Sequence, residues 1–243
     1  MAEAVQVGVV KELNLYPVKS MGGQGVNELF LNWHGCDGDR KYAFVIDGNT
    51  SNFPWLTARQ AAKMLHYKPY FVDPDNRDKS AIAVKTPEGS ELPVESTELV
   101  QSLAAHYAHS FHLIHLGIGA FDDFPVSVIS TATLDGLSAK VGFSVQSNRF
   151  RANIVVEPSE AIDAIEDRWV SHALRFGAAT DAAKIAVVLR DSRCVMVNLD
   201  RDTLKQTPEL LKEIAQRRDN CTGVFGSVLQ TGTIKVGDPV FLM

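Results

Sequence analysis

The chain has 243 residues, 45% hydrophobic and 22% charged, with a formal net charge of -5. That is enough apolar sequence for one large or two small cores and argues against disorder, while the acidic balance excludes broad nucleic-acid binding, which needs a basic face to displace counterions. Three cysteines, Cys36, Cys194 and Cys221, without a Cys-x-x-Cys pair cannot build a disulfide framework or a four-cysteine iron–sulfur cluster, and they point to a reducing compartment.

In chain order, Met1–Gln6 lacks the basic and apolar regions of a signal peptide, and no later apolar run approaches membrane-spanning length. A soluble cytoplasmic protein without a membrane partner is expected. Residues 5–15 alternate as a strand and lead through Tyr16-Pro17-Val18-Lys19-Ser20 into the glycine-rich turn Met21–Gly25. Backbone amides, the Lys19 ammonium and the Ser20 hydroxyl could converge there on a phosphate, or form a solvated turn. Neither a nucleotide P-loop nor a Rossmann fingerprint is present.

Short strand candidates follow at Val26–Leu31, Tyr42–Ile46, Tyr70–Val72, Ala81–Lys85 and Glu91–Val94, separated by turns such as Asp47-Gly48-Asn49. This spacing suggests a barrel or sandwich rather than alternating β-α units. Helices are few: one capped by Thr97, one opening near Thr57 and running through Met64, and one over Glu209–Arg217 after Thr207-Pro208. His106, His109, His112 and His115 recur every third residue, which invites a metal reading; if 106–109 end a helix and 111–116 form a strand, His112 and His115 point to opposite faces and the four cannot converge, so a metal there is the weaker reading.

The pattern breaks over Gly117–Pro125, the expected linker, and a second unit begins at Val126–Ile129. Ser130 or Thr131 caps a short helix over Leu134–Ala139, whose N-terminus could receive an anion. Arg151 and Asn153 point to one face of a strand start and could grip an anionic heterocycle. The chain closes with an expected hairpin over Gly232–Leu242, turning at Gly237-Asp238.

The best candidate reactive centre is Asp191-Ser192-Arg193-Cys194, between the apolar runs Ile185–Leu189 and Val195–Val197. Strand, polar turn, strand is the expected reading, with Cys194 starting the second strand. Arg193 beside it favours the thiolate, which attacks electrophiles and binds soft metals. The alternative is an inert, buried small hydrophobe.

Five segments resemble one family in order and spacing: Tyr16–Ser20, Asp39–Val45, Leu56–Gln60, Phe150–Val155 and Ser192–Cys194. The chain is similar to MOSC-domain proteins with an N-terminal β-barrel domain, such as the mitochondrial amidoxime-reducing component and bacterial YcbX-like proteins. The resemblance implies a mainly β (α+β) fold, with an N-terminal MOSC-associated β-barrel-like domain over residues 1–120 and a MOSC β-barrel domain with a few short helices over 121–243. It implies a molybdenum cofactor (Mo-molybdopterin) ligated by Cys194, which is also the catalytic position. Lys19, Ser20, Arg40, Ser130, Thr131, Arg151, Asn153, Ser192 and Arg193 match positions that hold the pterin and its phosphate. Asp191 departs from relatives with a second cysteine three residues before the ligand, a change expected to alter local charge and potential.

The implied activity is reduction of N-hydroxylated compounds, such as amidoximes and hydroxylamines. YcbX-like relatives can continue into a ferredoxin-type domain, whereas this sequence ends after the expected hairpin. A separate electron-donor protein, a flavin or iron–sulfur reductase, is therefore expected beside the small N-oxygenated substrate. Two other readings remain: a sulfur carrier or transferase using a Cys194 persulfide, and a non-enzymatic cofactor-storage module.

Overall fold

The computed structural model describes residues 4–77 and 79–243. Met1–Glu3, the start of the segment read as lacking a signal peptide, lie outside the described residues.

The chain begins with β1 (Val5–Leu15), β2 (Gln24–Val26), β3 (Glu28–Asn32), β4 (Gly35–Cys36) and β5 (Tyr42–Ile46). A 3-10 helix over Ala62–His66 precedes β6 (Lys68–Phe71), β7 (Ile82–Lys85), β8 (Glu91–Pro93), α1 (Thr97–Ala104) and β9 (Phe111–His115). The rest comprises β10 (Val126–Ser130), α2 (Thr131–Val141), β11 (Ile154–Pro158), β12 (Ala173–Phe176) and β13 (Lys184–Ser192). The last elements are α3 (Pro208–Arg217), β14 (Cys221–Gln230), β15 (Gly232–Lys235) and β16 (Pro239–Leu242).

Seven strands in the order β11-β10-β14-β13-β12-β16-β1 form a closed barrel, because β1 pairs with β11 as well as β16. Closure leaves those strands no free edge. The barrel joins the first strand of the chain to the last, Val5 opposite Leu242 and Val9 opposite Pro239. Gly8 lies at the seam: a Cβ there would be 2.4 Å from the Glu157 carbonyl oxygen. Only β10 and β11 run parallel in the barrel, joined by the crossover that contains α2. Val10, Leu13 and Leu15 of β1 pack with Val128, Ile154, Val187 and Val224 in the main core. A second cluster, including Ile129, Leu137, Val155, Leu210 and Ile214, seats α2 and α3 on the barrel.

Three smaller sheets, β15-β3-β4, β5-β9 and β6-β7-β8, complete the mainly β fold. The structure departs from local expectation at several places. The strand expected over Val26–Leu31 is split into β2 and β3, which belong to different sheets, and Arg151 and Asn153 precede β11 rather than starting it. The helix expected from Thr57 is the 3-10 helix at 62–66. Ser96, not Thr97, caps α1, its hydroxyl accepting from the Leu99 N–H. Residues 232–242 are not a hairpin: β15 pairs with β3, whereas β16 fills the gap between β1 and β12. Val195–Asn198 is a 3-10 helix rather than a strand. The preceding strand instead runs through the polar residues to Ser192, because β14 pairs with it as far as Cys221.

Candidate functional site

Two turns are laced together beside the barrel mouth. The Tyr16 N–H donates to Asp39 Oδ1 at 2.7 Å, the Arg40 N–H to the Tyr16 carbonyl at 2.8 Å, and the Lys19 N–H to the Tyr42 carbonyl at 2.8 Å. These bonds hold Ser20 and Arg40 in the left-handed region at φ 65° and 51°, and Arg151, before β11, has φ 55°. Such conformations disfavour residues with a Cβ and persist where surrounding structure over-determines them. All three residues line one cavity of about 460 Å³.

The cavity is also lined by Lys19, Ser192, Arg193 and Cys194, so seven sequence-nominated residues meet there. Cys194 follows the end of β13 and is exposed. Its position is set by Arg193, whose Nε donates to the Thr222 carbonyl at 2.7 Å and whose Nη1 donates to the Phe150 carbonyl at 3.0 Å. Arg193 Nη2 lies 2.7 Å from Asp191 Oδ2, an ion pair without hydrogen-bond alignment. Asn220 Nδ2 donates to the Arg193 carbonyl at 2.7 Å, further bracing the turn. Arg193 is thus spent largely on fixing the backbone that presents the thiol.

The cavity lining contains six cationic side chains, from Lys19, Arg40, Arg59, Arg149, Arg151 and Arg193, against three acidic ones, Asp122, Asp123 and Asp191. This basic concentration sits in a chain of net charge -5. Lys19 Nζ is buried and donates to the Ala120 carbonyl at 2.8 Å and Asp122 Oδ1 at 2.5 Å. Burial lowers its pKa despite the opposing pull of Asp122. Arg40 contacts Asp39 and donates through Nη2 to the Arg151 carbonyl at 3.1 Å. Arg151 donates through Nη1 to the Met21 carbonyl at 2.5 Å, whereas its buried Nη2 has no hydrogen-bond partner among the described residues. Burial, reinforced by repulsion from Arg40, pulls the Arg151 pKa down to about 9.

Residues 107–241 match the MOSC domain family, and residues 7–122 match the MOSC N-terminal beta barrel domain. The chain belongs to the MOSC-domain family. It is 26% identical to human mitochondrial amidoxime-reducing component 1 and 30% identical to rat mitochondrial amidoxime reducing component 2. Each alignment covers 98% of this chain and 84% of the relative. The fold is similar to the YUAD protein of Bacillus subtilis, with TM-score 0.54 and 12% identity over 100% of this chain and 98% of that one.

Three nominated residues of this MOSC protein do not line the Cys194 cavity. Ser130 is fully buried: its hydroxyl accepts from the Thr133 N–H as the α2 cap and donates to Glu166 Oε2 at 2.6 Å. Thr131 lines a separate cavity of about 500 Å³ with Glu12, Asn148 and Arg201. Asn153 lies beneath the site, where Oδ1 accepts from the Ser127 N–H at 3.2 Å and Nδ2 donates to the Asn14 carbonyl at 3.3 Å. It joins β1 to the β10–β11 pair rather than facing a ligand.

Sequence reasoning assigned no site role to Phe53, Asp122 or Arg149. The Phe53 ring lies 5.4 Å from Lys19 Nζ and 4.7 Å from the Arg59 guanidinium carbon, forming an aromatic wall between two cations. Asp122 comes from the segment read as a linker, and it reaches Lys19 because the Ala120 N–H donates to the Arg40 carbonyl at 2.8 Å. Arg149 is tied to the carbonyls of Val197 and Asn198, both at 3.2 Å, and to Asp200 at 2.8 Å. It therefore anchors the helix after Cys194.

An anionic organic ligand with a soft metal fits this donor set. An unpartnered, buried guanidinium nitrogen is costly without an acceptor, and a phosphate oxygen would supply one. An exposed thiol is the soft donor a metal such as molybdenum favours.

Proposed function

We propose that the cavity holds a molybdenum cofactor and that the protein reduces N-hydroxylated compounds such as amidoximes and hydroxylamines. The carrying observation is an exposed Cys194 thiol sharing one basic cavity with Arg151, whose buried Nη2 lacks an acceptor. The names of the human and rat relatives, amidoxime-reducing components, support the same substrate class.

In this reading Cys194 is the metal ligand. Lys19, Ser20, Arg40 and Arg151 hold the phosphate and pterin, while Ser192 and Arg193 present the ligand turn. Asn153 and Ser130 support that surface from below through β11 and α2, and Thr131 stands apart. When bound, the molybdenum centre supplies the redox chemistry that removes oxygen from an N–OH group. The chain binds and orients the reacting group, and its cations stabilise negative charge within a partly closed cavity. Electrons come from a separate flavin or iron–sulfur donor protein. Three unpaired cysteines suit the reducing cytoplasm, where we place the protein.

The test is purification from a host that makes the cofactor, followed by molybdenum and pterin analysis and an assay with benzamidoxime and reduced methyl viologen. Metal-loaded protein should form the amidine, and NADH alone should not support turnover. Loaded protein that reduces no N–OH compound with the viologen donor would contradict the reading.

A further inference from the structure

Reduction of an N–OH group consumes protons as well as electrons. For an amidoxime, two electrons from the external donor break the N–O bond; one proton joins the departing hydroxide to make water, and a second joins the nitrogen to make the amidine. Water is a poor source of the first proton near neutrality, so a positioned acid is chemically valuable.

We propose that Asp191 is the acid that protonates the departing hydroxyl oxygen, an inference that rests on the reductase reading. Asp191 belongs to the end of β13 that presents Cys194, and both residues line the same cavity. Its side chain is only 3% exposed. Ser127 Oγ, from β10, donates to Asp191 Oδ2 at 3.1 Å, and Arg193 Nη2 pairs with the same oxygen at 2.7 Å. The carboxyl group is therefore held at the wall by two different segments.

The other cavity groups are less suited. Asp122 is engaged by Lys19 at 2.5 Å. Burial pushes the Asp122 pKa up, but Lys19, aided by Arg40 and Arg151, brings it below the ordinary value, so it remains a carboxylate. Lys19 is committed to Asp122 and the Ala120 carbonyl, and Asp123 is exposed to solvent. No histidine, glutamate or tyrosine lines the cavity among the described residues.

Asp191 differs in its surroundings. Burial pushes its pKa up to about 6, against Arg193, the Ser127 hydrogen bond and Arg40, while Asp122 adds to the rise. The start of β14 contributes Cys221, whose thiol is itself pushed up by burial against the pull of Arg190, with Asp167 and then Asp191 adding to the rise. A carboxyl group titrating near 6 is protonated in about a tenth of molecules at pH 7 and regains a proton easily.

The test compares full-length wild type, D191N and D191E from a cofactor-competent host. It reads molybdenum content, benzamidoxime reduction by reduced methyl viologen between about pH 5 and pH 8, and the protonated-carboxyl infrared band of cofactor-free protein. In wild type, kcat should fall as pH rises through about 6, and an infrared band should disappear over the same interval. D191N should lack that band, keep its molybdenum, lose about a hundredfold in kcat and lose the pH step; D191E should recover part of the rate. Equal kcat per molybdenum in D191N, an unchanged pH step, or no carboxyl titration near 6 would overturn the proton-donor role while leaving the reductase reading intact. A molybdenum-loaded wild type unable to reduce any N–OH compound would overturn both.

Discussion

Arg151 stacks on Tyr16, its guanidinium carbon 4.3 Å from the ring centroid, while Arg40 approaches the same ring at 5.1 Å. Two like charges thus share one buried aromatic ring, and Asp39 contacts Arg40 rather than Arg151. The cluster has more positive charge than its own carboxylates balance, as expected of a site built for an anion.

Inorganic phosphate should therefore raise the Tm of the cofactor-free wild type and have little effect on R151Q. The Arg151 pKa of about 9 lies below its ordinary 12.5, so the folded state loses protons first as pH rises, and the penalty of burying the cation is fully present below 9. R151Q should remove that penalty and raise the cofactor-free Tm by about 2–5 °C while reducing molybdenum retention. Thermal melts with and without phosphate measure both effects.

Ser130 tests the separation between scaffold and cavity. Its hydroxyl caps α2 and donates to Glu166, whose buried carboxyl also accepts from Thr133 Oγ1 at 2.6 Å. S130A should cost about 1–3 kcal/mol in urea unfolding, from the lost cap and the weakened buried network. Molybdenum content per folded molecule should stay unchanged, because Ser130 does not line the cavity.

Asp191 gives a stability signature independent of turnover. Its folded pKa of about 6 lies above the ordinary 3.8, so the folded state binds the proton more tightly. That advantage is present below pH 3.8 and lost as pH rises through about 6, up to about 3 kcal/mol. Denaturation curves between those limits should show a component falling with pH in wild type and missing from D191N.

Barrel closure depends on Gly8. A Cβ there would lie 2.4 Å from the Glu157 carbonyl oxygen and 2.9 Å from the Pro158 Cα. Both are backbone atoms of β11, which cannot move aside without breaking the seam. G8A should lower stability by about 3 kcal/mol or more, as measured by urea unfolding.

Much of this architecture is legible where local pattern and tertiary demand agree. β1 alternates because one of its faces is core, and α3 follows from Pro208 at its first turn and the buried Leu210 and Ile214. Local pattern fails where the partner is distant. Gly237-Asp238 makes a good hairpin turn, yet β16 is taken by β1 and β12 because the barrel must close. The charges at Arg190 and Asp191 look like a strand end, but Asp167 and Ser127 satisfy them, so β13 continues. At the site, family resemblance supplies Lys19, Arg40, Arg151 and Cys194. The same resemblance also nominates Ser130, Thr131 and Asn153, which do not line that cavity, and it does not show that Thr131 opens on another cavity or that Asp122 and Phe53 reach in from connecting segments.

The most direct test is molybdenum analysis with X-ray absorption on wild type and C194S from a cofactor-competent host. The account predicts stoichiometric molybdenum in wild type with a protein sulfur ligand that C194S lacks, and loss of turnover without a change in the Tm of the cofactor-free protein, since Cys194 is exposed. Wild type free of molybdenum and pterin, or carrying a reductant-labile persulfide on Cys194 instead, would contradict it.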